Sequence, residues 1–171
     1  MNLKNKYAIG CHVMFYEIEI LEEYLSSVKK SLEIVNNPEN IIVDLFFNIS
    51  EFFEEIDTDT TSKKELINKF NSMCSDMSKL GVLVKSQVYE QNKPYCIADY
   101  RRDFNYKWCN VVDYLIWGES DCLVPNELFH CLDGVKDYAN SQGIYRYTLT
   151  FAVRKMWDES WKVLEHPEFT N

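Results

Sequence analysis

Short runs of β-branched and aromatic residues recur along this chain, and most are followed by a stretch whose apolar residues repeat every three or four positions. That alternation restricts the fold more than any other feature. Residues 7–15, Tyr-Ala-Ile-Gly-Cys-His-Val-Met-Phe, predict a strand covered on both faces, because a strand open to water on one side would alternate with polar residues. From Ile18 onward, Leu21, Leu25, Val28, Leu32 and Val35 fall on one face of a helix of about five turns, and Asn36-Asn37-Pro38 stops it.

The cycle repeats. Residues 41–47 predict a second buried strand running into Asn48-Ile49-Ser50. The acidic segment 51–59 reads as a solvated rim. Ser62-Lys63-Lys64-Glu65 fits a capping box, and Leu66, Phe70, Met73, Met77 and Leu80 trace a second amphipathic helix closed by Gly81. Residues 82–89 predict a third strand, and 97–110 a third helix with Tyr100, Phe104 and Trp108 inward and Arg101, Arg102 and Asn105 on the opposite face. A fourth apolar strand over 111–117, a helix over 126–138 and an alternating, half-exposed strand over 144–153 follow. Strand, helix, strand in this order implies βαβ crossovers: an α/β fold, Rossmann-like, with a mostly parallel sheet flanked by helices.

At 171 residues, 46% hydrophobic, the chain is read as a single domain, residues 1–171, with enough apolar content for a sizeable core. A net charge of −9 without basic clusters counts against a nucleic-acid backbone or an anionic membrane as partner. No apolar run approaches the roughly 20 residues of a bilayer span, and the first residues lack the features of a leader peptide. The six cysteines form no Cys-x-x-Cys pair, so reduced thiols and a cytoplasmic location are expected.

Chemistry is expected where the fourth strand ends. Gly118 is placed to turn the backbone, and Glu119 and Asp121 follow at i and i+2, on one side of the chain if extended pairing persists. In open α/β sheets the carboxyl edge of the strands is where ligands bind. Two adjacent carboxylates repel unless a cation or a shared proton lies between them, and hard oxygen ligands favour Mg²⁺, Mn²⁺ or Ca²⁺. A solvated acidic turn is the competing reading of the triplet. His12, inside an apolar strand, reads as a hydrogen-bonded core histidine rather than a ligand.

Arg101 and Asn105 on a helix, the strand Tyr114-Leu115-Ile116-Trp117, then Glu119-Ser120-Asp121 and Pro125 resemble the nucleotide-sugar glycosyltransferases of the A-type fold, in particular the inverting, family-2-like group. The resemblance spans about residues 7–155. It departs from that family in having Glu119 for the usual first Asp, Phe104 rather than Arg before Asn105, and Asn48-Ile49-Ser50 where an Asp-Gly-Ser is common.

The resemblance implies a metal-dependent transferase moving a sugar from a nucleoside-diphosphate donor to an acceptor. Glu119 and Asp121 would hold Mn²⁺ or Mg²⁺ on the diphosphate. Tyr16 and Asn48 would flank the nucleoside, and Asp99, Arg101 and Asn105 would face the base, phosphates or sugar. Residues 7–125 would form the donor part and 126–171 the acceptor part, minimal or incomplete because the chain ends about fifty residues after Asp121. The resemblance singles out no catalytic base: Asp158 and Glu159 are candidates but equally suit a helix start beside Trp157 and Trp161, two tryptophans that read as core. His166 could be a third metal ligand or a loop residue. Two other readings are a non-catalytic interaction module on the same fold and a nucleotidyltransferase, the latter disfavoured because no Gly-rich phosphate loop follows the first strand.

Overall fold

The computed structural model describes residues 1–50, 63–91 and 93–150. Among the described residues four strands, β1 (Tyr7–Met14), β2 (Ile41–Asn48), β3 (Leu83–Tyr89) and β4 (Tyr114–Glu119), alternate with four α-helices, α1 (Ile18–Leu32), α2 (Lys63–Ser78), α3 (Ile97–Trp108) and α4 (Leu128–Ser141). All strand pairs are parallel, in the order β3-β2-β1-β4. The fold is therefore α/β and Rossmann-like. The chain steps outward from β1 through β2 to β3, then returns through α3 to the other side of β1.

Every residue of β1 is buried except partly exposed Met14, and β2 is buried throughout, as central strands of a two-sided sheet require. On one face Tyr7, Ile9, Cys11 and Val13 of β1 pack with Leu21, Leu25 and Val28 of α1, Phe70 and Met77 of α2, and Leu128, Phe129 and Leu132 of α4. On the other, Ala8, Ile42 and Phe46 meet Tyr100, Phe104 and Trp108 of α3. Helices thus cover both faces, with α3 opposite α1 and α2, as consistently handed crossovers demand when the chain reverses direction along the sheet.

Three carboxylates tie the layers together. Asp44 of β2, 5% exposed, accepts from Trp108 Nε1 at 2.8 Å, Lys107 Nζ at 2.7 Å and Tyr100 Oη at 3.2 Å, joining α3 to the sheet. Asp133 of α4 accepts from the Lys4 backbone N–H at 2.9 Å and from the Tyr7 hydroxyl. Asp113 accepts from the Lys6 N–H at 2.9 Å and Lys136 Nζ at 2.7 Å, setting the start of β4 beside β1.

The chain divides into two compact units, Met1–Asp137 and Tyr138–Asn171, at the last turn of α4. In the second unit the helix ends with Gly143 at φ 70°, and the Ile144 N–H donates to the Ala139 carbonyl at 2.9 Å, the pattern of a helix stopped by a left-handed residue. Residues 144–150 carry no strand, contrary to the alternation of their side chains. A strand needs a ladder partner, and among the described residues none pairs with this segment. Residues 151–153, the segment 51–59, the Ser62 cap, Trp157, Asp158, Glu159, Trp161 and His166 lie outside the described residues.

Candidate functional site at the carboxyl ends of β1 and β4

Between β1 and β4 the chain's direction along the sheet reverses, the position beside which open α/β sheets bind ligands. A cleft of about 460 Å³ lies at this point. His12, Met14 and Glu17 line it from the end of β1, Ser50 from beyond β2, Pro94 to Ile97 from the entry to α3, and Glu119 to Asp121 from β4.

Its acidic side is built by a turn. Glu119 is the last residue of β4, in register with His12, and the Cys122 N–H donates to the Glu119 carbonyl at 3.0 Å. That turn folds the following residues back, so that carboxylate oxygens of Glu119 and Asp121 and the Cys122 thiol all lie within 4.8 Å of one another. The two carboxylates offer hard oxygens that fit Mn²⁺ or Mg²⁺, whereas the sulfur is a poor donor for either ion. Burial, then the charge of Asp121, pushes the Cys122 thiol up, so it is protonated as it stands.

Gly118 does not turn the chain: it lies inside β4 with ordinary backbone torsions. A Cβ there would stand 2.1 Å from the hydroxyl of Tyr24, which α1 inserts beneath the strand. Close approach of a buried tyrosine, rather than backbone freedom, accounts for the glycine. Residues 109–113 form the turn after α3, so the strand starts at Tyr114 rather than Val111.

The polar face of α3 meets β4 beside the cleft. The Arg101 guanidinium pairs with the Glu119 carboxylate and lies 5.4 Å from the centroid of the Trp117 ring. Trp117 Nε1 in turn donates to Asn105 Oδ1 at 3.0 Å. Arg101 and Asn105, one turn apart on α3, are thereby brought to the end of β4 beside Glu119. Arg101 also supplies Glu119 with a counter-charge, which relieves the repulsion expected between the two acids. Asp99 is engaged elsewhere: it caps α3 by accepting from the Cys96 N–H at 3.1 Å and pairs with Arg102 at 3.1 Å. The Cys96 N–H is the main reason its carboxyl sits below the usual range.

Tyr16 stands on the one-turn helix after β1, 60% exposed, with its ring edge-on to Phe15. Asn48, 1% exposed, donates to the Tyr95 carbonyl at 3.0 Å and accepts from the Ser50 N–H at 3.2 Å, bracing the loop that precedes α3 against the end of β2. Neither residue lines the cleft.

The cleft wall opposite the acids is aromatic. His12 stacks on Phe46 at 5.5 Å and on Tyr95 at 6.4 Å, with Tyr100 at 5.9 Å. It is buried, at 7% exposure, as a core histidine should be, but its Nε2 has no hydrogen-bond partner among the described residues. Burial alone pushes its pKa down to about 4, so the ring is neutral at physiological pH. Tyr95 escaped notice in the sequence because it sits in the loop after Pro94, outside any periodic segment. Its placement against Phe46 at 4.6 Å comes from tertiary packing.

Comparison with protein-family models, with curated proteins and with solved structures returns no match for this chain.

Proposed function

We propose that this chain is a metal-dependent glycosyltransferase of the A-type fold, which takes a sugar from a nucleoside-diphosphate donor with Mn²⁺ or Mg²⁺. The observation that carries this reading is the meeting of Glu119, Asp121 and Arg101 at the switch point of a parallel sheet, beside a cleft large enough for a small ligand. A protein of net charge −9 repels a diphosphate, so a receptor for one needs concentrated positive charge at the site itself. Glu119 and Asp121 would hold the cation, and Arg101 would present its fork of N–H donors to phosphate oxygens. A divalent cation held there supplies Lewis-acid neutralisation of the leaving diphosphate. Trp117 and Asn105 keep the arginine on the β4 side of α3, where those oxygens would lie.

Isothermal titration of UDP, GDP and ADP, with and without Mn²⁺, tests the reading on the wild-type chain and on Asp121→Ala. We expect one diphosphate to bind at least about tenfold more tightly with the metal than without it, and about tenfold more weakly or worse to the variant in the presence of metal. Binding equally strong with and without the metal, no binding, or an unaffected Asp121→Ala protein would each defeat it. Release of free sugar from the matching nucleotide sugar, above a protein-free control, tests the transfer chemistry separately.

A further inference from the structure

We propose that the outer edge of β4 is the surface through which two copies of this chain associate, strand against antiparallel strand, to give one continuous sheet. Such pairing is independent of what the cleft binds.

A sheet ordered β3-β2-β1-β4 has two edges, and here they differ in kind. An open edge invites pairing with another chain, and monomeric proteins blunt it with charge, proline or a cover. β3 is blunted, because Lys85, Ser86 and Gln87 stand exposed along it. β4 is not. Residues 114–118 contain no charge and no proline, and among the described residues no strand pairs with the outer side of β4. Apolar surface accompanies it: Trp117 is 51% exposed, and Val111, in the turn that leads into the strand, 50%. Leu115 and Ile116 are only partly buried, one on each face of the sheet.

Symmetry and charge together select a second copy as the occupant. A two-fold axis normal to the sheet keeps every side chain on its own face, so opposed residues must differ by an even number of positions. Centring the pair on Ile116 sets Trp117 against Leu115 of the second copy, an aromatic–aliphatic contact of the kind that stabilises neighbouring strands. Centring it on Trp117 would set Leu115 against Glu119 instead. The first register also opposes Asp113 and Glu119, a like pair that is unfavourable unless neutralised. Each already has a cation: Lys136 Nζ lies 2.7 Å from Asp113, and Arg101 pairs with Glu119. Lys6, beside Asp113, and Asp121, beyond Glu119, are exposed and in no ion pair among the described residues, while Lys4 is taken by Asp137. The start of β4 thus carries two cations to one acid, and its end one cation to two acids. Antiparallel pairing lays the start of each strand against the end of the other, so the charges complement twice over.

Sedimentation velocity of the full chain in metal-free buffer tests the pairing. We expect a dimer with a dissociation constant of about 10 µM or tighter. Trp117→Lys, which plants a charge on the edge, should weaken association at least about tenfold. Lys6→Glu should weaken it about fivefold, and adding Asp121→Lys, which exchanges the two charges across the junction, should restore it to within about twofold of wild type. Lys85→Glu, on the β3 edge, should leave it unchanged. Thermal midpoints separate dissociation from unfolding, and the charge exchange decides the matter if Trp117→Lys fails to fold. A wild-type chain that stays monomeric at about 100 µM overturns the assignment. So does a dimer that Trp117→Lys and Lys6→Glu leave intact, or one that Lys85→Glu weakens as much as they do. A double variant that associates no better than Lys6→Glu overturns it as well, because only antiparallel pairing brings Lys6 of one copy to Asp121 of the other. Since no metal or nucleotide is present, failure here leaves the diphosphate reading to its own titrations.

Discussion

Arg101 and Glu119, 18 positions apart in sequence, form an ion pair across the seam between α3 and β4, and Glu119 belongs at the same time to the acidic group with Asp121 and Cys122. The arginine and a cation therefore compete for one carboxylate. Glu119→Gln removes the competition while preserving shape. In metal-free buffer the variant should bind inorganic pyrophosphate about threefold more tightly than wild type, because a half-exposed ion pair is worth at most about 1 kcal/mol. With Mn²⁺ present the order should reverse. Calorimetry on the two proteins under both conditions checks this, and identical metal-free affinities would show that the pair does not hold Arg101 back. Folding stability should change by less than about 0.5 kcal/mol.

Asp44 should matter for stability rather than for binding. Its carboxylate is buried beneath α3 and collects Trp108, Lys107 and Tyr100. Asp44→Ala leaves the buried Trp108 N–H without its acceptor, while Tyr100 keeps the Asp44 backbone carbonyl at 2.9 Å and Lys107 can turn to solvent, and a loss of about 2 kcal/mol is expected. Asp44→Asn keeps an acceptor oxygen and should lose less. Urea denaturation gives both values, provided the slopes match wild type. A midpoint unchanged in Asp44→Ala would mean that α3 is held by its apolar face alone.

The close fit of Tyr24 under β4 predicts a paired effect. Gly118→Ala places a methyl group 2.1 Å from the Tyr24 hydroxyl oxygen and 2.9 Å from the ring carbon that bears it. Overpacking of this kind costs about 1–3 kcal/mol. Adding Tyr24→Phe removes the nearer atom and should recover part of the loss, so that the double variant is more stable than Gly118→Ala. Thermal melts of the four proteins in the cycle measure the coupling. Additive losses would place the strain elsewhere.

Acid should weaken the fold through His12. Its folded pKa of about 4 lies below the unfolded value of 6.5. Between those values the unfolded chain binds the extra proton, so stability present above pH 6.5 is lost as pH falls towards 4, by up to about 3 kcal/mol from this group. The His12→Phe variant lacks that contribution, and its stability should fall less steeply over the window. Parallel denaturation curves at pH 7, 6, 5 and 4.5 decide it: equal slopes in the two proteins would mean that His12 titrates normally.

Periodicity made the elements legible. Helices and strands up to α4 fall close to where apolar spacing puts them, since short buried strands and amphipathic helices have distinct repeats. The parallel sheet followed from their alternation. Spacing does not encode lateral order or which polar residues meet, and so the Arg101–Glu119 pair, the burial of Asp44 and the reason for Gly118 emerged only with three-dimensional packing. For His12, burial was legible from its apolar neighbours, but the unpartnered nitrogen was not, because partners come from β2, α3 and the loop at Tyr95. The alternating segment 144–150 shows the converse: a strand-like pattern forms no strand where no neighbouring strand pairs with it.

The position of β1 between β2 and β4 also bears on how the chain assembles during synthesis. Its β2 edge is satisfied early, but Lys6, just before β1, finds Asp113 only after an interval of 107 positions. Until β4 leaves the ribosome, a row of backbone N–H and C=O groups on a buried, largely apolar strand has no mate. Such an edge recruits strands from other chains. Slowing translation between β1 and β4 should therefore lower the yield of soluble protein more than slowing it after β4.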